Sequence, residues 1–127
     1  MYVVTGATGA LGRLAVEALL ERVPAAQVRA TGRRIETLDD LAARGVEVRR
    51  ADYDDPESLA DAFEDATRVL FVSGNEAGAR TTQHRAVVDA LAATAVELDD
   101  LARLLGRPAT PWTEVVDAAV REVAAPV

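Results

Sequence analysis

The feature that most constrains this chain is its start, Tyr-Val-Val-Thr-Gly-Ala-Thr-Gly-Ala-Leu-Gly at positions 2–12, where an apolar stretch runs straight into glycines at 6, 9 and 12. A strand that passes at once into a glycine-rich turn and then a helix is a way to hold a nucleotide diphosphate. Gly6 lets the chain turn sharply, Gly9 removes the Cβ that would block a pyrophosphate, and Gly12 lets helix and strand pack closely. The helix behind them aims free N–H groups and a partial positive charge at the phosphates. Ala7, Thr8, Ala10 and Leu11 would lend backbone N–H groups rather than side chains. A tight turn with no ligand would use the same glycines, so the elements that follow decide between the two.

Those elements alternate. Residues 2–5 read as a strand, and from 10 to about 22 the residues Leu11, Leu14, Ala15, Ala18, Leu19 and Leu20 recur at helical spacing, closed by Pro24. A second strand over 27–31 ends at Gly32-Arg33-Arg34, and a helix over 35–43 stops at Gly45. The alternating Val46-Glu-Val-Arg49 is a third strand. Pro56 then suits a helix first turn, with Asp55 as its cap and Leu59, Ala62 and Phe63 as its apolar face. Residues 68–73 form the most apolar strand, expected to be buried on both faces, and a helix over about 79–94 follows with Val87, Val88, Ala90 and Leu91 inward. This βα series predicts an α/β fold, a reduced Rossmann domain with a doubly wound parallel sheet of about four strands in the order 3-2-1-4. Its ligand crevice should open where strands one and four diverge.

After Ala95 the character changes. Residues 96–106 and 112–123 read as two C-terminal helices joined by Arg107-Pro-Ala-Thr-Pro111, with Trp112 as a packing anchor. The expected organisation is a dinucleotide-binding domain over 1–95 and a helical tail over 96–127 packed on it. Strand four would lie at the sheet edge, where an apolar strand invites pairing. We expect the tail or homodimerisation to mask it.

The chain has 127 residues and a formal net charge of −7, which suits one domain and disfavours nucleic acid or an anionic membrane as partner. It has no cysteine, and all 14 basic residues are arginine, which excludes thiol chemistry, a Schiff-base lysine and a lysine-assisted tyrosine acid. With no basic leader ahead of the first strand and no long apolar run, the expectation is a cytoplasmic protein outside the membrane.

No acidic residue stands at the end of strand two. Arg33 and Arg34 are there instead, and a guanidinium fork on an adenosine 2′-phosphate would favour NADP(H) over NAD(H). Asp52, Asp54 and Asp55 fall in one acidic turn with no histidine nearby, better suited to capping than to a metal. His84, the single histidine, reads as a surface or rim residue with no triad partner at a telling spacing. No catalytic residue and no metal ligand is assigned.

The run Thr5-Gly-Ala-Thr-Gly-Ala-Leu-Gly12, with Gly32-Arg-Arg34, Asp52 and Gln83-His-Arg-Ala-Val-Val-Asp-Ala90, resembles the NmrA-like branch of the atypical short-chain dehydrogenases, which has NAD(P)H:quinone oxidoreductase members. The resemblance implies that Arg33 takes the 2′-phosphate with Arg34 reinforcing it, that Asp52 bonds the adenine amino group on the side where Tyr53 lies, and that Ser73 and Gly74 approach the nicotinamide ribose. Residues 101–111 resemble that family's C-terminal end, so the chain reads as a member whose middle, with most of the substrate-binding part, is excised. Neither Tyr2 nor Tyr53 occupies the position of the family's usual proton donor. The functions expected are a dinucleotide-binding protein that transfers hydride from NADPH to a small quinone-like acceptor, a non-catalytic module that senses NADP(H) or scaffolds an oligomer, or a fragment without activity.

Overall fold

A computed structural model describes residues 1–74, 76, 78–94 and 96. The order is β1 (Tyr2–Val4), α1 (Ala10–Leu20), β2 (Val28–Gly32), α2 (Asp39–Ala43), β3 (Glu47–Arg50), α3 (Pro56–Ala62), β4 (Arg68–Leu70) and α4 (Arg80–Ala92). All pairings are parallel and the sheet runs β3-β2-β1-β4, as the alternation predicts. Short 3-10 turns precede β2 (Ala25–Gln27) and α2 (Ile35–Leu38), so the expected helix over 35–43 is a 3-10 turn followed by one α-helical turn and a half.

The central strand shows how two cores arise. Successive side chains of a strand point to opposite faces. Val3 joins Leu59, Phe63, Val87 and Leu91 on one side, while Val4 joins Val16, Val28, Leu38 and Leu41 on the other. Helices therefore cover both faces of the sheet, and each buried side chain of this size contributes about 1.5–3 kcal/mol on leaving water. Asp55 caps α3 as expected, its carboxylate accepting from the Ser58 N–H, with Pro56 in the first turn.

Three expectations need correction, the first being Val88, expected inward on α4 but 49% exposed. Leu11 and Leu14 are 65% and 68% exposed, and α1 turns Gly12 and Val16 to the interior instead. Ala15, Leu19 and Leu20 of the expected series do pack against the core, and at the start of the helix it is Gly12 that lies against the backbone of Gly6 and Ala7. Strand four is also shorter than the predicted 68–73 and is not buried on both faces. Among the described residues it pairs with β1 alone, through a ladder three residues long, and Leu70 is 47% exposed. Beyond Leu70 the chain is held differently, by the Val72 N–H donating to the Thr5 hydroxyl at 2.8 Å.

Arg29 was not singled out by sequence, yet it is only 2% exposed. From the middle of β2 its guanidinium donates to the Ala62 carbonyl at 2.9 Å and the Glu64 carbonyl at 2.6 Å, and it pairs with Glu47 on β3 at 3.2 Å. It thus satisfies carbonyls left over at the end of α3, where the chain turns through Asp65 at φ 56° into β4. We expect Arg29→Met to keep the fold but lower stability by about 2–4 kcal/mol, because two carbonyls beneath the sheet lose their donor. Urea unfolding followed by circular dichroism measures this, and a loss under about 0.5 kcal/mol, the level of an ordinary surface change, would contradict it.

Apart from Val96, the expected tail over 96–127, with Trp112, lies outside the described residues. Among the described residues no helix is long and apolar enough to cross a membrane.

Candidate functional site

At the C-terminal ends of β1 and β4, where the sheet order reverses, the chain leaves a crevice of about 740 Å³. That is the size of a small-molecule site, and it opens where the βα series predicts.

Its floor is set by the glycine turn. Gly6 adopts φ +62°, a backbone conformation that L side chains rarely take. Gly9 then begins α1 in an extended conformation (φ −95°, ψ 168°) with no side-chain cap. The first intrahelical bond runs from the Arg13 N–H to the Gly9 carbonyl at 3.0 Å. Among the described residues, the N–H groups of Ala10, Leu11 and Gly12 therefore find no acceptor, and all three residues line the crevice. Three free donors at the positive end of an 11-residue helix make a cradle for an anion. A Cβ built on Gly9 would have only the Gly6 carbonyl near it, at 3.4 Å, so the space over Gly9 is open crevice.

Tyr53, Thr5 and Val72 tie the walls together. The Tyr53 hydroxyl lies 2.8 Å from Thr5 Oγ1 and 2.5 Å from the Val72 carbonyl, while Val72 N–H donates to the same Thr5 oxygen. A phenol has one proton, and Val72 O can only accept, so the consistent arrangement is Tyr53 donating to Val72 and Thr5 donating to Tyr53. Burial pushes the Tyr53 phenol above its ordinary pKa, partly offset by the Thr5 hydrogen bond and the Arg33 charge. The ring also packs edge-on to Phe71 at 5.4 Å, so the hydroxyl serves the fold and the ring faces the crevice.

The acidic turn after β3 is engaged by its neighbours. Arg50 donates to Asp55 at 2.8 Å and to Asp52 at 3.0 Å, and Asp52 accepts from the Asp54 N–H at 3.1 Å. The Arg50 hydrogen bond, with that of the Ser58 N–H, holds the Asp55 carboxyl below its ordinary pKa. Asp52 lines the crevice.

Of the residues expected to touch a cofactor, Gly6, Thr8, Gly9, Ala10, Leu11, Gly12, Arg33, Asp52, Tyr53, Ser73 and Gly74 line the crevice. Ala7 and Arg34 do not. Ala7 is buried and its N–H donates to the Thr31 carbonyl at 2.9 Å, so it locks β2 to the turn and has no donor to lend. Arg34 ends β2's loop, where its carbonyl accepts from the Thr37 hydroxyl at 2.8 Å. His84, expected at the surface or rim, packs on Phe71, which itself lines the crevice. It is half-buried with its ring edge-on to Phe71 at 5.0 Å, and its Nε2 is buried without a partner among the described residues.

Sequence reasoning missed Gln83 and Glu76. Gln83 is buried on α4, and its amide donates to Glu76 at 3.0 Å and faces Asp54 at 3.3 Å. Glu76 in turn accepts from Arg33 at 2.8 Å. A glutamine among Arg80, His84 and Arg85 gives no local sign of burial. The pattern of inward Val87 and Leu91 four and eight residues on was the available signal.

The sequence of residues 6–98 matches the model of a family described as NAD(P)H-binding. The chain belongs to that family. It is 39% identical over 111 residues to quinone oxidoreductase 2 of Escherichia coli, covering 87% of this chain and 39% of the relative. It is 34% identical over 93 residues to an NmrA-like family domain-containing oxidoreductase of Aspergillus flavus, covering 70% of this chain and 30% of the relative. Among solved structures, the Citrobacter triphenylmethane reductase complexed with NADP(H) superposes with a TM-score of 0.72 at 44% identity, over 76% of this chain and 34% of that one. The Escherichia coli quinone oxidoreductase complexed with NADPH gives 0.71 at 42% identity over the same shares. This is therefore an NAD(P)H-binding Rossmann-type domain, homologous to NmrA-like reductases and related to NADPH-dependent quinone oxidoreductase. The chain spans less than two fifths of the length of these relatives.

Proposed function

We propose that this chain binds NADP(H) in preference to NAD(H), with the pyrophosphate over Gly9 and the 2′-phosphate on Arg33. The observation that carries the reading is the coincidence, in one crevice, of three N–H groups with no acceptor among the described residues, the open space over Gly9, and an arginine at the rim where an acidic ribose partner would otherwise stand. The residues present thus fit the group they would hold. Adenine would lie toward Asp52 and Tyr53, and the nicotinamide ribose toward Ser73 and Gly74. Arg34, outside the crevice, adds charge at a distance rather than a second prong.

When bound, the reduced nicotinamide supplies a hydride, and we propose a small quinone-like acceptor for it. The chain's own part is to bind and orient. A specific observation also favours a second reading, a non-catalytic module that senses NADP(H): the one phenol lining the crevice, that of Tyr53, is committed to Thr5 and Val72 and is not available as a proton donor. Consumption of NADPH, followed by the absorbance of its reduced ring, with a panel of benzoquinones and naphthoquinones separates the two. Turnover above the rate without protein supports reductase activity, and binding without turnover supports sensing.

We further propose a dinucleotide-binding domain over 1–95 followed by a tail over 96–127, and coverage of the β4 edge by a second copy of the chain. Among the described residues that edge has no strand beside it. Light scattering of the full chain reports the dimer.

A further inference from the structure

We propose that Glu76 is a specificity-determining residue that occupies Arg33 as an internal stand-in for the 2′-phosphate, and so tempers the preference for the phosphorylated dinucleotide. The inference rests on the reading of Arg33 given above and adds a residue to it. One Glu76 oxygen accepts from Arg33 Nη1 at 2.8 Å, and the other accepts from Gln83 Nε2 at 3.0 Å. The carboxylate thus bridges the loop after β2 and helix α4 across the crevice it lines.

Gln83 gives this bridge a fixed end. It is 4% exposed, its Nε2 also faces Asp54 at 3.3 Å, and its Oε1 sits 3.3 Å from where a Cβ on Gly74 would be. A carboxylate held there presents to the guanidinium the same chemistry as a phosphate monoester, an anionic oxygen in line with an N–H. The monoester carries more charge, about −1.5 to −2 against −1, so it can take Arg33 from Glu76. Each such binding event has to break the ion pair. A ligand with a bare 2′-hydroxyl leaves the pair intact and gains nothing from Arg33.

The side chains are 64% and 45% exposed, so the pair is a water-screened one, and its loss should change affinity by about two- to fivefold. Glu76→Gln removes the charge while keeping an amide oxygen for Gln83, and Glu76→Ala removes both. Isothermal titration of the full chain with adenosine 2′,5′-bisphosphate and with 5′-AMP reads the difference. Both variants should tighten the bisphosphate about two- to fivefold more than they tighten AMP, and the extra gain should vanish in an Arg33→Ala background. Equal gains for the two ligands in the presence of Arg33, or weaker bisphosphate binding by Glu76→Gln, would overturn the role of Glu76 while leaving Arg33 in place. Unchanged bisphosphate affinity on Arg33→Ala alone would instead remove the Arg33 reading itself, and the role of Glu76 with it.

Discussion

Replacing Gly12 with alanine is expected to destabilise the domain by about 3 kcal/mol or more, at the upper end of what overpacking costs. A Cβ at this position would lie 2.2 Å from the Gly6 carbonyl oxygen, 2.6 Å from its carbon and 2.9 Å from the Ala7 Cα. These are backbone atoms, so no side chain can swing aside. The turn cannot retreat either, because the Ala7 N–H is bonded to Thr31 on β2 and the Thr5 N–H to Leu70 on β4. Relief has to come from lifting α1 off the sheet, which would uncover Val16 and the core around Val4, Val28 and Leu41. Alanine's better helix propensity offsets only about 1 kcal/mol of this. Thermal melting of the variant should show a fall of more than about 10 °C for a domain of this size, and a melting point within about 2 °C of the parent would contradict the close-packing role.

The contrast between Gly12 and its neighbours bears on what the sequence could disclose. The turn, the strand order and the Asp55 cap were legible because each is written in residues adjacent in the chain. Position in three dimensions was not. Arg29 is buried by carbonyls 33 and 35 residues away, so an alternating strand gives no sign that its arginine is internal. The glycine contact at Gly12 sets the start of α1 against the sheet and leaves Leu11 and Leu14 outside, while Ala15, Leu19 and Leu20 pack on the core as their spacing predicts. In the site, the backbone donors behind Gly9 could be foreseen from motif spacing, yet Ala7 fell outside them because its N–H is needed to join β1 to β2. The Arg33–Glu76–Gln83 chain spans three separate segments, and only the fold brings its members together.

Gly9 carries the opposite expectation from Gly12. Its φ of −95° and ψ of 168° suit alanine, and its Cβ would meet only the Gly6 carbonyl oxygen, at 3.4 Å. Alanine is a poorer helix cap than glycine by a margin of about 0.5 kcal/mol or somewhat more, while the stiffer unfolded chain returns about 0.4–1 kcal/mol. Stability should therefore stay within about 0.5 kcal/mol of the parent, an ordinary tolerated change. Binding should not. The added methyl stands in the open space in front of the Ala10, Leu11 and Gly12 donors, and a pyrophosphate held off by it loses charge-assisted hydrogen bonds of about 1.5–3 kcal/mol each. The most direct measurement is calorimetric titration of NADPH into the parent and Gly9→Ala chains, with their melting points recorded alongside. The account predicts saturable binding by the parent and at least about tenfold weaker binding by the variant, at nearly equal melting points. Equal affinity of the two folded chains for NADPH would place the pyrophosphate somewhere other than over Gly9, and would contradict it.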